Sequence, residues 1–99
     1  MPSHYQITVQ PTDATGATEA GPPLSFAVSN HDDLLAILAK MQANETVPHE
    51  EAAEFAIGLK LFLEVMIRHR GEPLFKDLWP HMAQFMKRLK AAGPRGEAH

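Results

Sequence analysis

Ninety-nine residues, 44% of them apolar and 21% charged, have the composition of one globular domain and leave no room for a second or for extensive disorder. The absence of cysteine excludes disulfides, thiolate metal sites and cysteine nucleophiles. A formal net charge of −3 opposes general affinity for nucleic acid, although Lys76, Lys87, Arg88, Lys90 and Arg95 make the last quarter basic.

The opening MPSHYQITVQ has no basic stretch followed by an apolar one, so no secretory signal is read and a cytoplasmic location is expected. Within it, Tyr5, Ile7 and Val9 alternate with Gln6, Thr8 and Gln10, the period-two pattern of a half-buried strand that Pro11 ends. Residues 11 to 23, PTDATGATEAGPP, are rich in turn formers and are expected to be a mobile loop. Leu24, Phe26 and Val28 then alternate with Ser25, Ala27 and Ser29, predicting a second strand that pairs antiparallel with the first. A two-stranded hairpin is marginal alone, so its apolar face is expected to rest on a helix. Its edges are either blunted by prolines or completed by another chain.

Leu34, Leu35, Ile37, Leu38 and Met41 recur at helical spacing behind Ser29 and Asn30 as potential caps, predicting a short amphipathic helix that ends near Asn44. Residues 48 to 70, PHEEAAEFAIGLKLFLEVMIRHR, are the longest apolar run and read as one long central helix. Ala52, Phe55, Ala56, Leu59, Phe62, Leu63, Met66 and Ile67 share a broad face expected to be core. A second stripe, Ile57, Leu61 and Val65, lies roughly opposite beside Gly58, whose missing side chain permits close approach. Two apolar faces imply two packing partners. Lys60, Glu64 and Arg68, at four-residue spacing, mark a wet edge on which Glu64 can pair with either cation. These charges also argue against a membrane span. Arg68, His69 and Arg70 suit the helix's negative end, and Gly71 is the expected left-handed cap before Pro73.

Pro80 disfavours helical geometry at Trp79 and divides the rest into a brief helical turn over residues 73 to 78 and a helix over 80 to 91. Met82, Phe85, Met86 and Leu89 form the expected buried stripe of that helix, with Gln84, Lys87, Arg88 and Lys90 facing water. The expected architecture is α+β, an antiparallel two-stranded hairpin followed by three helices in the order β-β-α-α-α. It forms a single domain over residues 1 to 92, with a disordered tail over 93 to 99.

The segments YQITV, HDDLLAIL and GLKLFLEVM, followed by PLF and FMKRLK, resemble in order and spacing a family of short bacterial proteins, the domain of unknown function 3861 family. The resemblance spans roughly positions 4 to 90 and leaves the connection at 12 to 21 unmatched. It implies a small bacterial α+β protein with no established activity, hence no catalytic residues to carry over, and directs attention to His31, Asp32, Asp33, Gly58, Lys60 and Glu64.

Among candidate sites, His31, Asp32 and Asp33 have side chains that ligate zinc, manganese or iron. Consecutive residues cannot all face one ion on a helix, so a metal site needs help from His49, Glu50 or Glu54. Otherwise the three occupy a helix's first turn, where carboxylates favour the dipole. The sequence has no HExxH, no GxSxG elbow and no phosphate loop, so no nucleotide or other cofactor is expected. The basic face Lys87, Arg88 and Lys90 near Phe75 and Trp79 is a weak nucleic-acid signal that a solvated helix face explains as well. The doubled apolar face and the unfinished sheet favour a non-enzymatic module that binds another protein or a second copy of itself through Ile57, Leu61 and Val65. The alternative is a small metal- or ligand-dependent enzyme that uses the region His31 to Asp33, with Glu64 as a further contributor.

Overall fold

The computed structural model describes residues 2 to 91, so the tail expected over residues 93 to 99 lies outside the described residues. Two strands are followed by helices, the α+β order expected, and the chain divides into two compact units between His31 and Asp32.

The first unit is a hairpin of β1 (Ser3–Val9) and β2 (Leu24–Asn30), paired antiparallel with Tyr5 opposite Val28, Ile7 opposite Phe26 and Val9 opposite Leu24. Directly opposed residues share a sheet face, so this register gathers all six apolar side chains on one side. Tyr5, Ile7 and Val28 are half-buried, whereas Val9, Leu24 and Phe26, nearer the turn, are exposed. On the other face, Thr8 and Ser25 share a 2.8 Å hydrogen bond between their hydroxyls.

The connection expected to be a mobile loop is tied by hydrogen bonds instead. An isolated antiparallel bridge joins Thr12 to Glu19, and the Gln10 side-chain amide donates to the Gly21 carbonyl at 2.8 Å. At its tip the Asp13 carboxylate accepts from the Thr15 backbone N–H and hydroxyl, and Gly16, at φ 78°, takes the left-handed conformation that glycine adopts without steric cost. These bonds, the Thr15 hydroxyl foremost, favour the ionised form and lower the Asp13 pKa from 3.8 to about 2.

The second unit is helical. It comprises α1 (Leu34–Asn44), a 3-10 turn (His49–Glu51), α2 (Ala52–Arg68), a four-residue helix α3 (Pro73–Lys76) and α4 (Trp79–Ala91). The brief helical turn expected after Gly71 is thus a separate helix, which makes four α-helices rather than three among the described residues. The run expected as one helix from residue 48 begins with the 3-10 turn behind Pro48, a tighter start common at helix N-termini.

The core of this unit is the contact between α1 and α2, where Leu34, Met41, Ala52, Ala56, Leu63 and Met66 are buried. On α1 the inward residues are Leu34, Ile37, Leu38 and Met41; Leu35, expected among them, is 66% exposed because it lies about 100° around the helix from Leu34. On α2 the expected core residues Phe62 and Ile67 are exposed, while Lys60 is half-buried and Glu64 buried. The wet edge therefore turns inward at Lys60 and Glu64, and only Arg68 stays outside, its Nε donating to the Glu64 backbone carbonyl at 3.3 Å. Helix α1 ends on Glu45, at φ 49°, with the Glu45 and Thr46 N–H groups donating to the carbonyls of Gln42 and Met41. Helix α2 ends on His69 at φ −122°, and Gly71 does not adopt the left-handed cap expected of it, because the chain turns directly into α3 through the Glu72 N–H bond to the His69 carbonyl.

The Asp13 turn makes a pH prediction. Its folded-state pKa is depressed, so the stabilising contribution is complete above pH 3.8 and is lost as pH falls through about 2. In a carboxyl-detected NMR titration Asp13 should show a midpoint near 2, and Thr15→Val should move it upward. An ordinary midpoint in the native chain would mean that the turn does not form.

Candidate functional site

Three groups of side chains repay attention, all in the helical unit. The first surrounds the start of α1. Asp33 is its N-cap: at φ −80° and ψ 104° it stands outside the helix, and its carboxylate accepts from the backbone N–H of Leu35 at 3.1 Å and of Ala36 at 3.2 Å. This cap replaces Ser29 and Asn30, which the sequence offered and which β2 absorbs. Asp32, half-exposed, forms an ion pair with Lys60 of α2, Nζ to Oδ2 2.6 Å, and the Lys60 side chain is only 14% exposed. The Lys60 stem lies along the inner face while its ammonium reaches an acceptor at the rim. Glu64, one turn further along α2, is buried at 9% exposure. Of the residues singled out in sequence, Asp32 and Lys60 therefore meet, and Asp33 follows Asp32 as the cap of α1. No group of three or more His, Cys, Asp or Glu side chains among the described residues is arranged to hold a metal ion. His49, Glu50 and Glu54, named as helpers for such a site, are exposed around the start of α2.

The second group is a cleft of about 140 Å³ among α1, α2 and α4. Its lining combines Ile37, Met41, Met86 and Leu89 with Asn44, Thr46 and three lysines, Lys40, Lys60 and Lys90. Sequence reasoning missed it, since the lysines are 20 and 30 positions apart and only the packing of three helices collects them.

The third group is the outer face of α2. Gly58, Leu61, Phe62 and Val65 follow the spacing i, i+3, i+4, i+7. Leu61 is half-buried, Phe62 is 44% and Val65 41% exposed, and a Cβ placed on Gly58 would meet nothing within 4 Å. Of the stripe expected from sequence, Leu61 and Val65 belong to this seam, while Ile57 sits half-buried at its margin.

Beyond α2, His69 pairs with Glu72 and stands 6.1 Å from the Phe75 ring, and the Arg70 guanidinium lies 5.5 Å from the Trp79 ring centroid. Phe75 and Trp79, considered as stacking platforms for bases, are half-buried and already have these neighbours. No helix among the described residues is long and apolar enough to cross a membrane.

A family model described as "Domain of Unknown Function with solved-structure structure (DUF3861)" matches residues 3–91. The chain belongs to this family. The DUF3861 chain is also similar to the crystal structure of a protein of unknown function from Pectobacterium atrosepticum, with 39% identity, a TM-score of 0.80, and coverage of 93% of this chain and 100% of that one. No curated protein matches it. The neighbour shares the fold, and neither it nor the family carries an activity with it.

The two aspartates before α1 have separable roles, and their alanine variants should differ. Asp33→Ala removes the cap and should destabilise the helical unit by about 0.5–2 kcal/mol. Asp32→Ala removes a partly exposed ion pair and should cost about 0.2–1 kcal/mol, less at high salt. Urea unfolding at low and high salt checks both magnitudes and the salt dependence.

Proposed function

We propose that this DUF3861 protein works as a non-enzymatic, self-associating module in which α2 carries the contact between two copies. The observation that supports this reading is the outer seam of α2. Phe62 and Val65 remain exposed with Leu61 beside them, although the opposite face of the same helix packs on α1. Apolar side chains at a spacing of three and four residues are the pattern by which one helix packs on another. Gly58 sits within that pattern with open space above it, so a second helix can approach closely there. A second copy is the favoured occupant because a two-fold contact needs one patch that is complementary to itself, and Phe62 and Val65, about one and two turns beyond Gly58, offer knobs beside its depression. Further exposed apolar residues on the hairpin, Val9, Leu24 and Phe26, give another surface on which association can be completed.

Val65→Glu and Phe62→Lys are the decisive variants. Both positions are exposed, so each variant should keep the native circular dichroism and cooperative unfolding. In sedimentation velocity the unaltered chain should run as a dimer and each variant as a monomer. A native chain that is monomeric at all accessible concentrations would remove the proposal. Loss of folding in Leu61→Glu alone would show only that half-buried Leu61 belongs to the core.

A further inference from the structure

We infer that the cleft among α1, α2 and α4 is a binding site for a small organic acid, a carboxylate attached to a short apolar chain. The cleft lies on the opposite side of α2 from the proposed contact between copies and does not depend on it. Lys60 faces α1, whereas Gly58, Phe62 and Val65 face outward.

The charge of the lining carries the first step. The chain has a net charge of −3, yet the residues around this cleft include Lys40, Lys60 and Lys90 and no carboxylate. Asp32 offsets part of the Lys60 charge and fixes its ammonium by the 2.6 Å ion pair; Lys40 and Lys90 are exposed at the rim. Lysines that line one cleft raise the potential felt there by an approaching anion, an attraction that salt screens. Asn44 and Thr46 add neutral hydrogen-bonding groups beside them.

The floor supplies the second half of the ligand's chemistry. Ile37, Met41, Met86 and Leu89 are apolar, and two of the four are methionines, whose unbranched, polarisable side chains adapt to irregular apolar shapes. A fully hydrated inorganic anion has no use for such a floor, and a neutral hydrocarbon has none for three lysines. A volume of about 140 Å³ is room for about five waters at roughly 30 Å³ each, well below the roughly 300–1,000 Å³ of pockets for drug-sized ligands. The occupant is therefore short. The arrangement fits a charged head between Lys40, Lys60 and Lys90 and a few methylene groups on Met41, Met86 and Leu89.

Sodium octanoate is the probe, titrated into the full chain with 13C-labelled methionine methyl groups, and octan-1-ol is the neutral counterpart. Saturable shifts at Met41 and Met86 are expected with octanoate, weaker or absent shifts with octanol, and progressive weakening as salt is raised. Lys40→Glu combined with Lys90→Glu should reduce octanoate affinity by about tenfold or more, because repulsion replaces attraction at both rim positions. Both residues are exposed, and Lys40→Ala with Lys90→Ala is the milder pair should charge reversal disturb the fold. No shift at Met41 and Met86 up to millimolar octanoate, equal affinity for octanol, or unchanged affinity in the lysine variants would each overturn the inference.

Discussion

The packing of α1 on α2 is the constraint on which the helical unit depends. At 11 residues α1 is too short to persist alone, since nucleation is costly and isolated helices below about 12–15 residues are marginal in water. It is held because Leu34 and Met41 bury themselves against Ala52, Ala56, Leu63 and Met66, while Asp33 satisfies the free N–H groups at its start. The small alanines let the helices approach, and the longer side chains fill the space to either side. Once that face of α2 is committed, the rotation of the helix is fixed. Lys60 and Glu64 are then carried inward and Gly58, Phe62 and Val65 outward, so the features of both proposed sites follow from one packing choice.

The ion pair between Asp32 and Lys60 shows how a charged side chain enters such an interface without being stranded. A lysine on a core-facing arc is tolerated when its stem lies on apolar neighbours and its ammonium finds a carboxylate at the edge. Lys60, held by this pair, lines the cleft together with Lys40 and Lys90. Helix α4 closes that cleft with Met86 and Leu89, but its expected buried stripe is only half-buried at Met82, Met86 and Leu89 and exposed at Phe85, so this wall is the lightest part of the helical unit.

The hairpin, its antiparallel pairing and the α+β order were legible because period-two alternation and turn residues are local signals. The same holds for the apolar spacing on α1 and for a break before α4, although the break falls at Asp77 and Leu78, and Trp79, expected outside the helix ahead of Pro80, begins it. What the residues could not disclose is rotation. On α2 almost every arc has an apolar residue, so periodicity alone does not choose which arc meets α1. Charge alone assigns Lys60 and Glu64 to water; Lys60 departs from that because Asp32, 28 positions away, supplies a partner that only tertiary structure brings near, and Glu64 because the rotation of α2 carries it inward. The cap of α1 is hidden for a related reason: Ser29 and Asn30 have capping chemistry, but strand pairing claims them, and Asp33 takes the role. The cleft was illegible in sequence, since no window contains two of its lysines together. The resemblance gave the family and, through Asp32 and Lys60, one pair that does meet.

The central claim is that the outer face of α2 is where two copies meet, and a distance across that contact tests it most directly. The chain has no cysteine, so Glu54→Cys places a single nitroxide label on exposed α2, one turn before Gly58. Pulsed electron spin resonance should return one defined distance between labels on two copies, and that signal should vanish when Val65→Glu is added. A sample with no intermolecular coupling, or a coupling unaffected by Val65→Glu, would contradict the account.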